Sequence, residues 1–323
     1  MPTITCSAPG SIFFAGEYAS LLGFPMIVCA INQRTTVSIT PIDKPILDID
    51  SDTYGPCEIK LGELSAPPAY QYTLASFKQF LPKLQGQGFC IHFHDTDGFD
   101  KQIGKAAAVT VALCSAFYHH VHGHLNLEDI CILASQAISK IQSHTSYADI
   151  FASALGGVIR YAAGEQYRPA SVHHKKASLP IFAVYSGYVT SKSIAVHHGL
   201  IREKRNPDFF KKLHKDIEII SNKFFSEIDS CNLEELGRLI QKTNDFFDAY
   251  EVHTEETQDI INRLKKIKSV YGAKISGAGM GGCIIGLGNL NASDIQPYEF
   301  IPLSIDGTGV RLDPKIYGIQ KAS

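Results

Sequence analysis

The sequence predicts an α+β protein of two domains, and three features carry that expectation. Its 323 residues exceed the size at which a single hydrophobic core usually stops growing. Apolar residues recur with strand and helix periods in both halves without strict alternation, which argues against a doubly wound parallel sheet. A polar, turn-rich stretch from Gly164 to Pro169 offers a boundary, so the domains are expected at residues 1–165 and 166–323.

In chain order, Val37 and Ile39, then Ile46, Leu47 and Ile49, with Pro41 and Pro45 between, predict two strands. Phe89, Ile91 and Phe93 alternate with Cys90, His92 and His94, the pattern of a half-buried strand. A polar loop from Asp95 to Gly104 runs into a helix over Lys105 to Val121, whose first turns are apolar nearly all round and therefore buried. Asn126 followed by Asp129 predicts a capped helix through about Ile141, and Ser146 followed by Asp149 repeats the pattern.

The second half opens with a strand at Leu179 to Tyr185 and becomes strongly helical. Phe209, Phe210, Leu213, Ile217, Ile220, Phe224 and Ile228 recur at helical spacing, as do Leu233, Leu236, Leu239 and Ile240, and then Ile260, Ile261, Leu264 and Ile267. Gly272 suits the stop of the last helix, and strands at 282–288 and 299–305 follow.

Composition narrows the class of function. Lys and Arg total 30 against 32 for Asp and Glu, so charge supplies no reason to expect a nucleic-acid or anionic-membrane partner. The start has no basic and apolar leader and no run reaches spanning length, which predicts a cytoplasmic protein acting on a small molecule. Eight cysteines scattered through apolar stretches read as buried thiols. Thirteen histidines, four of them at 119, 120, 122 and 124, lack a ligand-plus-carboxylate spacing and are assigned no metal.

Three segments carry chemistry. Gly104 and Lys105 open a buried helix, whose free N–H groups and positive dipole end attract anions. Lysine there is unfavourable on dipole grounds unless an anion is present, although an exposed lysine on an ordinary helix end is the alternative. Lys274 to Cys283 packs four glycines into six residues, Gly277 to Gly282, read as lying between a helix and a strand. That density suits close backbone approach to a ligand. Near the N-terminus, Glu17 follows an apolar strand, either exposed in a hairpin turn or directed at a ligand.

Taken together, SAPGSIFFAGEYASLLGFP, DKQIGKAAAVTVAL and KISGAGMGGC resemble the three motifs of the GHMP kinase superfamily, in its order and at about its spacing. INQRT, GGVIRY and GAGMGGC are similar to mevalonate kinases, whereas AGEYA, SYADI and NPDFF are more similar to phosphomevalonate kinases. The resemblance implies an active site in the cleft between the domains and phosphorylation of mevalonate, with phosphomevalonate as the alternative acceptor. ATP and Mg²⁺ are the implied cofactors, and a homodimer is an open expectation. Nucleotide would be held by Gly104, Lys105, Ala106, Ala107, Ser276, Gly277, Ala278, Gly279 and Gly281. Acceptor substrate would meet Ser11, Glu17, Tyr18 and Ser146. Asp149 matches the aspartate that engages the attacking hydroxyl, and it also stands where a capping acid would follow Ser146.

The chain departs from that pattern. Ser11 stands where the family usually has lysine, Lys105 and Ala106 replace two serines of the second motif, and Lys140 occupies the place of a magnesium-binding glutamate. Lys105 is the expected substitute as phosphate-neutralising cation, as a P-loop lysine works from a helix start. The competing expectation is a ligand-binding pseudokinase without turnover.

Overall fold

The structure, a computed structural model, describes residues 2–95, 103–143 and 145–313. Strands β1 (Ile4–Ala15) and β2 (Met26–Ile42) run antiparallel as the spine of the larger sheet. Both are rich in Ile, Val, Thr and Phe, whose branched or aromatic side chains fit a pleated, buried surface. β3 (Ile46–Ser51), β4 (Cys57–Lys60), β5 (Gly88–Asp95), β6 (Val158–Ala163), β7 (Pro169–Lys175) and β12 (Arg311–Leu312) complete it in the order β12-β1-β2-β5-β3-β4. β2 is long enough to pair twice on one edge, through residues 26–29 with β6 and 35–42 with β5.

Helices α1 (Gln71–Lys78), α2 (Leu81–Leu84), α3 (Lys105–His122), α4 (Leu127–Ser139) and α5 (Ala148–Leu155) belong to this half. Val37, Ile39, Phe89 and Ile91 of the sheet pack with Phe77, Val111, Phe117, Ile130 and Ile150 of the helices in one core. The predicted start of α3 is buried as expected, with Ala107, Ala108, Val111 and Ala112 fully covered. Asn126 caps α4 by accepting from the N–H groups of Glu128 and Asp129. Most of the loop expected before α3 lies at 96–102, outside the described residues.

The second sheet has the antiparallel order β11 (Glu299–Leu303), β8 (Ile181–Val189), β10 (Gly281–Gly288), β9 (Val270–Ile275). Around it lie α6 (Lys192–Arg205), α7 (Pro207–Glu227), α8 (Leu233–Tyr250) and α9 (Glu255–Leu264). Two sheets with their own helices make the α+β, two-domain architecture that the mixed periodicity predicts. β7 pairs with β6 of the first sheet, so a division at 165/166 falls inside a hairpin; we propose instead a division within 176–180, where the chain passes between sheets.

Three local readings are corrected. Gly272 lies inside β9, not at a helix end, because β9 crosses α8 so closely that a Cβ there would overlap the Gly237 backbone. The glycine-rich segment accordingly joins two strands, β9 and β10. Cys231 is exposed, unlike the buried Cys6, Cys29, Cys114, Cys131 and Cys283.

β1 ties the halves together. Cys6 and Ala8 lie in the first core, yet Ile12 and Phe14, of the same parity, lie in a second core with Phe224 and Leu236. A register shift between Pro9 and Ser11 separates the two pairs, and such an irregularity re-aims the side chains beyond it. On β2, Arg34 forms a buried ion pair with Asp306 and donates through Nη2 to the carbonyls of Ser7 and Gly309 at 2.9 and 2.8 Å.

Candidate active site

All three motifs meet the second half of β1. The α3 motif arrives at Ser11: Gly104 caps the helix in a left-handed conformation (φ 69°), and a Cβ there would overlap the Ser11 backbone. α5 arrives one turn away, where Ser153 donates to the Pro9 carbonyl at 2.7 Å. The glycine-rich hairpin arrives at Phe13, whose N–H donates to Ser276 Oγ at 3.1 Å while its carbonyl accepts from Lys274 Nζ at 3.0 Å. Residues more than 260 apart in sequence are thus hydrogen-bonded.

Glu17 is neither exposed in a hairpin nor free. Its carboxylate pairs with Lys274, which is fully buried and also donates to the Ile275 carbonyl. Burial pushes the Glu17 carboxyl up and the Lys274 ammonium down, while their mutual attraction opposes both shifts. Wherever the shared proton lies, the pair as a whole carries no net charge. Buried pairs are costly to break singly, because the remaining charge is left without a partner.

Tyr18 lies beside it, 4 % exposed, stacked on Tyr250 with ring centroids 4.0 Å apart. Its hydroxyl is 2.6 Å from the Ala278 carbonyl and 3.1 Å from that of Ala195. Burial, reinforced by the Glu17 charge, raises its pKa, so it stays a neutral donor. The ring borders the pocket, but the hydroxyl is engaged in holding the glycine hairpin to α6.

The hairpin itself is a run of left-handed residues: Gly277 (φ 97°), Gly279 (86°), Met280 (59°), Gly281 (112°) and Gly282 (84°). At Gly279 a Cβ would come within 2.7 Å of Val252, so the glycine is required by space as well as by conformation. The Met280 N–H donates to the Val252 carbonyl at 2.7 Å, and Ser276 N–H to that of Cys283 at 3.0 Å.

An open pocket of about 400 Å³ lies between the halves. Phe13, Glu17, Tyr18, Ser20, Leu21, Met26, Thr145 and Ser146 line it from one side, and Lys192, Val196, Gly277 and Ala278 from the other. Ser146 donates to Met26 Sδ at 3.2 Å instead of capping α5. The cap position belongs to Tyr147, whose left-handed φ of 62° is strained for an aromatic residue, so Ser146 stands one place too early for a capping box. Asp149 therefore sits half-buried in the first turn of α5 with Oδ1 accepting only from the Ile150 N–H at 3.0 Å. Burial raises the hydroxyls of Tyr72 and Tyr161, and the Asp149 charge adds to both.

The remaining expected residues are at the α3 start. Ala107 is buried, and the Ala106 carbonyl accepts from Thr110 Oγ1 at 2.7 Å. Lys105 holds its ammonium 5.2 Å from the centre of the Tyr54 ring, a cation–π contact. Ser11 Oγ is buried without a hydrogen-bond partner among the described residues.

The curated relatives and solved structures bear on this arrangement. The sequence model for GHMP kinases C terminal matches residues 224–296. A mevalonate kinase of Archaeoglobus fulgidus is 28% identical over 284 residues, covering 87% of this chain and 91% of its own. A phosphomevalonate kinase of Saccharolobus solfataricus is also 28% identical, over 303 residues, covering 88% and 90%. A crystal structure of Streptococcus pneumoniae phosphomevalonate kinase in complex with phosphomevalonate and AMPPNP has the same fold, at TM-score 0.76 and 16% identity over 94% of this chain and 100% of that one.

The chain is similar to GHMP kinases in its C-terminal sequence, its curated relatives and its fold. GHMP kinases are ATP-dependent phosphotransferases, and the equal identity to relatives of two names leaves the acceptor to be argued from the pocket. Lys274 and Lys192 border the candidate site, and the motifs did not single them out. Lys274 carried a signal: a lysine inside an otherwise apolar strand, next to the glycine run. Lys192 carried none, because nothing local in SKSIAV marks its approach to Gln142.

Proposed function

We propose that this protein transfers the γ-phosphoryl group of ATP to the hydroxyl of mevalonate or phosphomevalonate. The observation supporting it most is the convergence of the α3 start, α5 and the glycine hairpin on residues 9–13 of β1 beside the pocket. In this reading Gly104 to Ala107 and Ser276 to Gly281 frame the nucleotide phosphates. Asp149, whose carboxylate has no hydrogen-bond partner among the described residues beyond its own helix turn, orients the acceptor hydroxyl and takes its proton. The hydroxyl oxygen bonds to the γ-phosphorus as the bond from that phosphorus to the bridging oxygen breaks, and ADP leaves.

Magnesium fits as a passenger on the nucleotide. Among the described residues no group of three or more His, Cys, Asp or Glu is placed to hold a metal, and Ala106 offers no hydroxyl. Mg²⁺ commonly keeps its waters and binds through substrate phosphates, so the site does not require a protein cage. Bound there, it would neutralise phosphate charge.

A second reading, a ligand-binding pseudokinase, is favoured by one observation: Lys105 rests on Tyr54 while Ser11 is neutral. An ADP-release assay with mevalonate, phosphomevalonate, homoserine and galactose decides. Turnover of either of the first two supports the proposal; turnover of only the last two overturns the acceptor class. Nucleotide binding by calorimetry without turnover under any divalent metal establishes the pseudokinase.

A further inference from the structure

The pocket wall contains one unbalanced charge. Glu17 is neutralised as a pair by Lys274, and Ser20, Thr145 and Ser146 are uncharged, so among the described lining residues Lys192 is the only group that adds net charge. It is exposed at the first position of α6, and its ammonium rests 3.3 Å from Gln142 Oε1. Its acceptor is a neutral, solvent-exposed amide, readily displaced by an anion, which would add full charge pairing to the hydrogen bond.

The contact also has a direction. Gln142 passes it on, its Nε2 donating to the Tyr72 hydroxyl at 2.7 Å, and that hydroxyl lies within the field of Asp149. Lys192 thus reaches from the second half across the pocket mouth toward the side where the first half carries its aspartate. The opposite wall holds the buried Glu17–Lys274 pair, whose charges cancel, so it offers an anion no net attraction and leaves Lys192 at the mouth as the cation available to it.

Resting on the acceptor pocket proposed above, we propose that Lys192 is a specificity residue that binds an anionic group of the acceptor, carboxylate or phosphate, and so selects charged acceptors over neutral ones. The lysine thereby supplies from α6 a cation that β1 lacks at Ser11.

Calorimetry on the intact chain without nucleotide tests this, using mevalonate and phosphomevalonate with the wild type, Lys192→Met and Lys192→Arg. The expected result is about tenfold or greater weakening in Lys192→Met, with most affinity restored in Lys192→Arg and ATP binding unchanged. Equal losses with both ligands identify the carboxylate they share; a larger loss with phosphomevalonate identifies the phosphate. Unchanged affinity in Lys192→Met overturns the inference while leaving the kinase reading intact, as does a loss confined to ATP. A wild type that binds neither anion overturns it too, and the turnover assay then decides the kinase reading on its own.

Discussion

The start of α3 and the glycine hairpin were both expected to frame phosphate, yet they are built in opposite ways. The hairpin is fixed from every side: Val252 packs under Gly279 and accepts from Met280, Tyr18 holds the Ala278 carbonyl, and Lys274 and Ser276 bind Phe13. The α3 start has one tight contact, Gly104 against Ser11, and a lysine leaning on an exposed tyrosine. The difference teaches where tolerance to sequence change lies. A loop held by its neighbours keeps its residues, whereas one whose backbone is set by the helix itself can exchange side chains, which is where this chain has Lys105 and Ala106.

Neither loop performs the chemistry in this account, so a change at either should cost less than a change at Asp149. Asp149→Asn is expected to reduce turnover by about 100-fold or more, in line with the usual contribution of a proton acceptor. Its thermal midpoint should stay near that of the wild type, because no capping bond is lost. A large fall in midpoint with normal kinetics would return Asp149 to a structural role.

Gly279→Ala probes the rigid loop. Strain at φ 86° together with the clash against Val252 should cost about 1–3 kcal/mol in chemical denaturation and lower turnover with it. Gly277→Ala, at a similar φ but with open space around its Cβ, should be the milder of the two. Equal effects would mean that conformation alone, without packing, governs the hairpin.

Lys105→Ala probes the adaptable loop. If the ammonium leaves Tyr54 for the nucleotide, ATP affinity or rate should fall about tenfold, the worth of a charge-assisted bond to phosphate, with little change in stability. Unaltered affinity and rate would place the triphosphate elsewhere. Ser11→Ala should have the smallest effect, within about 1 kcal/mol on the free protein, since the lost hydroxyl has no partner there. A clear gain in acceptor KM would show that substrate supplies the partner.

Much of the molecule was legible locally. The alternation at Phe89 to Phe93, the helical faces of α7 to α9 and the Asn126 cap each follow from backbone periodicity or a short-range hydrogen bond, which a linear pattern encodes. Ser146 and Asp149 showed the limit. Their spacing satisfied the capping pattern, but the left-handed turn at Tyr147 and the pull of Met26 on Ser146 moved the cap by one residue. Glu17 had no readable environment at all until Lys274, 257 residues away, was brought beneath it.

The sequence by itself determined the mixed architecture, the buried start of α3 and the existence of a glycine loop fit for close approach. Those properties depend on which residues are apolar, at what period, and which lack a Cβ. Tertiary structure alone decided which charges face each other: that Glu17 is cancelled by Lys274, that Lys105 leans outward on Tyr54, and that Lys192 spans the pocket mouth to Gln142. Electrostatic role depends on distance and burial, and both are set by long-range packing on β1 that no local spacing records.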